Sequence, residues 1–103
     1  MSPVSQTTAD TERYVLRLYV TGSTKRSTLA IQTMRDICDT YLKDRHDLEV
    51  VDLYRNPEAA AREQIIAVPT LVRLLPGPLR RVIGDFSDRR RVLATLGVRG
   101  HQE

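Results

Sequence analysis

Apolar residues along this chain follow two rhythms. Over residues 14–20 they run almost without a break, interrupted only by Arg17, the pattern of a strand covered on both faces in a parallel or mixed sheet. Gly22 stops the run. Ala30, Met34, Ile37, Cys38 and Tyr41 then recur at helical spacing and predict a helix with one apolar stripe. Thr24 or Ser27 is placed to cap its start. Residues 44–47 read as a polar connection and residues 48–53 as a second, valine-rich strand. Asn56-Pro57 opens a short alanine-containing helix, proline being suited to the first helical turn. Strand, helix, strand in this order implies a right-handed crossover with the two strands parallel. Residues 70–75 and 79–84 read as two further strands, joined as an antiparallel hairpin through Pro76-Gly77-Pro78. Asp85-Phe86-Ser87-Asp88 offers an N-cap. Val92, Leu93 and Leu96 supply the apolar face of a last helix, which Gly97 and Gly100 end.

The sum is βαβαββα in a single α/β domain over residues 13–97, flanked by a tail at 1–12 that is expected to be disordered and a flexible tail at 98–103. That order is the thioredoxin order. Val68-Pro69-Thr70 reads as the X-Pro-Thr turn that faces the active site in such folds, with Pro69 the position expected to follow a cis peptide bond. The loop that would face it, Gly22-Ser23-Thr24-Lys25-Arg26-Ser27, contains no cysteine. A disulfide oxidoreductase needs a low-pKa thiolate at that helix start, with a second cysteine one turn on. The scaffold is kept without the reaction, which points to a protein that binds partners and is not an enzyme.

Composition narrows this further. The 103 residues suffice for one core. No apolar run is long enough to span a membrane and no N-terminal signal pattern is present, so a cytoplasmic protein is expected. The single cysteine, Cys38, lies on the apolar stripe of the first helix and reads as an inert core residue. His46 and His101 stand far apart with no ligand spacing around them, so no metal and no cofactor is expected. Asp85 and Asp88 read as helix-capping groups beside Ser87.

Charge is unevenly placed. Residues 55–103 carry nine arginines, no lysine and five acidic groups, whereas residues 1–54 are close to balanced. Arginine's planar fork suits carboxylate pairing at an interface, although a merely solvated basic face has the same composition. Arg80 and Arg81 point to opposite faces of a strand, and Arg89-Arg90-Arg91 spread around a helix, so neither set forms one cluster. Few aromatics accompany them, which argues against nucleic acid and for an acidic protein partner.

Three segments carry a family resemblance. Tyr14-Val15-Leu16-Arg17-Leu18-Tyr19-Val20-Thr21-Gly22 and Val51-Asp52-Leu53-Tyr54-Arg55-Asn56-Pro57-Glu58 resemble KaiB proteins. The most specific is the run from Ile65 to Ser87, which combines A-x-P-T-L, P-x-P and R-R-x-I-G-D. The resemblance covers about residues 14–96. It implies a non-enzymatic partner of a KaiC-type ATPase in a circadian, timing or stress-response system. It also implies a metamorphic chain with two states. One is thioredoxin-like and binds the N-terminal ring of KaiC. The other rearranges residues from about 56 onward into βααβ, giving βαββααβ overall, and self-associates as a dimer or tetramer.

Carried onto this chain, the resemblance places Arg73 and Arg80 on the partner-binding side, together with Asn56 and Gln64, the last standing where the family often has a basic residue. Asn56 and Pro57 match the junction where the two folds diverge. Leu29 and Glu49 replace basic residues that clock-type members use to capture KaiA, so KaiA binding is not expected. Thr95 and Gly97 replace a common glycine and aspartate in the last helix. Thr95 favours helix and Gly97 a helix end, which predicts a bias towards the thioredoxin-like state. Two other readings are a stand-alone thioredoxin-like sensory domain, similar to the KaiB-like domain of a clock-output histidine kinase, and a redox protein acting through Cys38 alone.

Overall fold

Seven elements alternate in the predicted order, and each begins or ends where a specific residue demands it. A computed structural model describes residues 13–98; residues 1–12 and 99–103 lie outside the described residues, and Val98, assigned to the tail from the sequence, is instead buried in the main core. The elements are β1 (Tyr14–Val20), α1 (Lys25–Tyr41), β2 (His46–Asp52), α2 (Pro57–Arg62), β3 (Thr70–Leu75), β4 (Arg80–Ile83) and α3 (Arg89–Leu96). The sheet order is β2-β1-β3-β4. β1 runs parallel to β2, while β3 is antiparallel to both β1 and β4.

The caps are those the sequence offers. Thr24 accepts the Ser27 N–H at the start of α1, and Asp88 accepts the Arg91 N–H at the start of α3. α3 ends on Gly97 at φ +76°, with the Val98 N–H reaching back to the Leu93 carbonyl in a Schellman closure. α2 closes the same way without a glycine. Gln64 takes φ +58° and the Ile65 N–H bonds the Ala60 carbonyl.

Two strands differ in extent from the sequence reading, and β4 is the smaller change, Arg80–Ile83 in place of 79–84. β2 begins at His46 and ends at Asp52, not at 48 and 53. The polar residues His46 and Asp47 become strand because they pair with Tyr14 and Val15. Pairing with a neighbour overrides local polarity at an edge.

The sheet buries its two faces unequally. Leu16, Leu18, Val20, Leu71 and Val82 meet Met34, Ile37, Phe86, Val92 and Leu96 in the main core, under α1 and α3. Each such side chain contributes about 1.5–3 kcal/mol on full burial. The opposite face carries a smaller cluster of Tyr19, Ala59, Ile65 and Val72 under α2. α2 has only six residues, so Arg17 can stand on that face of the central strand, paired with Glu49 at 3.1 Å. Three X-Pro bonds are cis: Val68-Pro69, as expected, and also Leu75-Pro76 and Gly77-Pro78.

Candidate functional site

The topology fixes where the loops converge. β1 and β2 end, β3 begins and β4 ends at one pole of the sheet, and α1, α2 and α3 all start there. The Gly22–Ser27 segment and the Val68-Pro69 turn both lie on this pole. The hydroxyls of the cysteine-free loop are engaged in structure. Ser27 Oγ accepts the Thr21 N–H at 3.2 Å and Thr24 Oγ1 accepts the Ser27 N–H at 3.2 Å. Pro69 is buried, and its carbonyl accepts the Gly84 N–H at 3.0 Å, tying the turn to the end of β4.

Asp52 ties the β1–α1 loop to the β2–α2 loop. One carboxylate oxygen accepts from the Gly22 N–H at 3.1 Å and from the Tyr54 N–H at 2.9 Å. These two bonds hold its pKa below the usual carboxylate range. The same sign holds for Asp85, through Ser87, and for Asp47, through Arg13. A group depressed in the folded state contributes stability above its unfolded pKa of about 3.9, and that contribution is lost as pH falls through the folded value. Acid unfolding should therefore set in below about pH 4, and Asp52→Asn should flatten that limb of a melting-temperature profile. An unchanged slope between the two proteins would exclude the tie.

Cys38 sits against the main core, far from this pole. Burial pushes its thiol up to about 12. Reactivity belongs to the thiolate, so a buried thiol shifted in this direction is a poor nucleophile. Among the described residues no group of three or more His, Cys, Asp or Glu converges to hold a metal ion. No described helix is long and apolar enough to cross a membrane.

The residues assigned to partner binding from the sequence do not form one patch. Asn56 lies exposed at the N-cap position of α2, where its side chain makes no capping bond. Gln64 is exposed beyond the end of α2. Arg80 is exposed on the edge strand β4, directly opposite Arg73 on β3. Arg73 itself is 6% exposed. Its guanidinium donates to the Leu96 carbonyl at the end of α3 and, at 2.8 Å, to the Pro78 carbonyl in the hairpin. In this fold it acts as an internal brace and offers no contact surface. Gly97 packs against it: a Cβ there would come within 3.2 Å of Arg73 Nη1. Tyr14 adds a hydroxyl bond to the Gly97 carbonyl at 3.3 Å. Pro57 occupies the first turn of α2, and Thr95 is half-buried within α3.

Two arginines that sequence reasoning left unassigned do similar work. Arg81 donates to the Gln64 carbonyl at 3.2 Å and the Glu63 carbonyl at 3.1 Å, so β4 holds the α2–β3 connection in place. Arg91 donates to the Asp85 and Ile83 carbonyls and fastens α3 to the end of β4. The absence of lysine in this half fits that chemistry, because a fork can bridge two carbonyls where an ammonium is a single point. Leu29 is exposed on α1, and Glu49 is exposed and paired with Arg17.

The family model described as the KaiB domain matches residues 17–98. The circadian clock oscillator protein KaiB of Synechococcus sp. (strain CC9311) is 48% identical over 83 residues, covering 81% of this chain and 70% of that protein. The KaiB of Trichodesmium erythraeum (strain IMS101) is 42% identical over 96 residues, covering 93% and 86%. Among solved structures, the N-terminal domain of Synechococcus elongatus SasA superposes with a TM-score of 0.67 at 20% identity, covering 93% of this chain and 87% of that one. Chloroplastic thioredoxin z superposes with a TM-score of 0.69 at 15% identity, covering 86% and 80%. The fold is thus thioredoxin-like, and these curated relatives are named as circadian clock oscillator proteins. With a family model matching most of its length and relatives at this identity, the chain belongs to the KaiB family.

Proposed function

We propose that this protein is a non-enzymatic regulator that binds the N-terminal ATPase ring of a KaiC-type hexamer and modulates its phosphorylation or ATPase cycle in a circadian, timing or stress-response system. The observation that carries the reading is a thioredoxin-like scaffold kept intact around a loop with no thiol, in a chain of the KaiB family. Arg80 and Gln64, both exposed, are its proposed contact residues, with Asn56 at the start of α2. Arg73 supports Arg80 by bracing the strand paired with it. Leu29 and Glu49 offer no cation for KaiA, which supports a KaiA-independent system.

Self-association in an alternative fold belongs to the same proposal. The elements after Asn56 are fastened to one another by arginine–carbonyl bonds and by a thin cluster under α2. Repacking that half would withdraw Leu71, Val82, Phe86, Val92 and Leu96 from the main core, a cost that a partner with higher affinity for one state would offset. Thr95 and Gly97 both suit the helix observed.

The test mixes the protein with a KaiC homologue from the same genome and ATP, followed on native gels from seconds to overnight. A complex that grows over hours supports a switching protein. Immediate binding supports the second reading, a stand-alone adaptor domain similar to the KaiB-like domain of a clock-output histidine kinase, which the SasA superposition favours. Arg80→Glu should weaken the complex roughly tenfold or more, the scale of a desolvated charge at an interface. No complex at any time, with an active KaiC control, removes the proposal.

A further inference from the structure

The connection from α2 to β3 holds one residue in a conformation that its side chain disfavours. Gln64 stands at φ +58°, in the left-handed region where residues other than glycine are uncommon. A residue of this kind persists only where its surroundings hold it, and such residues cluster at binding sites. Gln64 is also exposed. It is a contact residue of the function proposed above, and the inference rests on that reading.

Three of its tethers are local. The Gln64 N–H bonds the Ala61 carbonyl at 3.2 Å, and the Ile65 N–H bonds the Ala60 carbonyl at 2.8 Å. Ile65 then packs in the small cluster with Tyr19, Ala59 and Val72. The fourth comes from another element. Arg81 of β4 donates from Nη2 to the Glu63 carbonyl at 3.1 Å and from Nη1 to the Gln64 carbonyl at 3.2 Å. Those carbonyls belong to the two peptide planes on either side of Gln64. A rigid fork closed on both of them fixes the φ and ψ of that one residue, which a single ammonium could not do. Arg81 is placed for this because it lies directly opposite Val72, on the face that α2 covers. Arg80, its neighbour in the chain, lies opposite Arg73 on the other face.

We propose that Arg81 is a positioning residue for the partner contact: it sets the backbone of Gln64, and so the direction in which Gln64 is presented, without touching the partner itself. The two contact residues then form one unit. Arg80 belongs to β4, and Gln64 is clasped to β4 by the next residue. A partner that engages both meets groups fixed by the same strand, although they lie on different faces of it. Such preorganisation strengthens binding by lowering the ordering cost.

Amide hydrogen exchange of the full ¹⁵N-labelled chain reads the clasp with no partner present. The Ile65 amide should exchange about tenfold faster in Arg81→Met and in Arg81→Lys, and at the unaltered rate in Arg80→Glu. Titration with the KaiC homologue on native gels reads the consequence. Both Arg81 variants should weaken the complex about fivefold, lysine as much as methionine, because lysine keeps the charge and loses the fork. In a double-mutant cycle with Gln64→Ala, the Arg81→Met penalty should vanish. Arg81 is exposed, so melting curves should stay close to that of the unaltered chain; if Arg81→Met does not fold, Arg81→Lys carries both readouts and the cycle. Unaltered exchange at Ile65 overturns the proposal. So does full binding by Arg81→Lys, which would make charge the cause. Penalties of Arg81 and Gln64 that multiply would place Arg81 on the partner and overturn it equally. Each of these is read with a complex that the unaltered chain does form. No complex from the unaltered chain removes the proposed function itself, and the positioning role with it.

Discussion

Arg73→Leu should lower the melting temperature by on the order of 15 °C, the largest change available from any charged residue described. The side chain is 6% exposed and bonds two carbonyls that belong to different parts of the second half, Leu96 at the end of α3 and Pro78 in the hairpin. Hydrogen bonds to a charged group are worth roughly 1.5–3 kcal/mol each. Leucine regains some of this through apolar burial, leaving a net loss of about 3 kcal/mol. Arg73→Lys should fall between the two, because one ammonium matches two separated carbonyls poorly. Arg80→Leu is the control: it removes the directly opposite cation from an exposed position and should cost little. Equal melting temperatures for Arg73→Leu and Arg80→Leu would show that the brace carries no stability. The same substitution bears on function, because loosening α3 and the hairpin disturbs β4 and with it the Arg80 contact.

Gly97→Ala should cost about 2 kcal/mol, for two reasons that the structure separates. An L-residue held at φ +76° loses roughly 1–2 kcal/mol. The new Cβ also lies 3.2 Å from Arg73 Nη1, tighter than ordinary packing. The two effects share a residue, so they should not add. In a double-mutant cycle with Arg73→Leu, the penalty of Gly97→Ala should shrink by about 0.5 kcal/mol or more, as for residues in direct contact. Full additivity would mean that only backbone strain matters at Gly97. Gly97→Asn, which tolerates left-handed backbone better, should separate strain from crowding.

Together these substitutions locate the joint of the second half. α3 is held at its start by Arg91 and at its end by Arg73, Tyr14 and the glycine closure. α2 is held at its end by Arg81. Apart from the backbone bonds of the glycine closure, each of these runs from an arginine or tyrosine side chain to a main-chain carbonyl, so each depends on one side chain. The main core, by contrast, spreads its cohesion over many apolar contacts that no single substitution removes.

Much of this was legible in the chain. The unbroken apolar run of β1, the helical stripe through Ala30, Met34, Ile37 and Cys38, the caps Thr24 and Asp88 and the stop at Gly97 are local signals, set by residues within a turn or two of one another. The thiol-free loop and the cis turn at Pro69 were legible for the same reason. Other features were not. His46 and Asp47 look like loop and are strand, because their pairing with Tyr14 and Val15 is a long-range contact. Arg73 looks like any surface arginine and is buried, because the carbonyls that receive it lie five and 23 residues away. Spacing put Arg80 and Arg81 on opposite faces, but it could not show that Arg80 shares its face with Arg73 or that Arg81 turns towards Gln64.

Sequence by itself determined the order of elements, the lack of a cysteine in the β1–α1 loop and the family, since periodicity, caps, composition and motif runs are properties of neighbouring residues. Tertiary structure alone decided which arginines are braces and which are available to a partner. A guanidinium's role depends on the carbonyls and carboxylates that folding brings within about 3 Å of it, and residues far apart in the chain meet at that distance only once the sheet has closed.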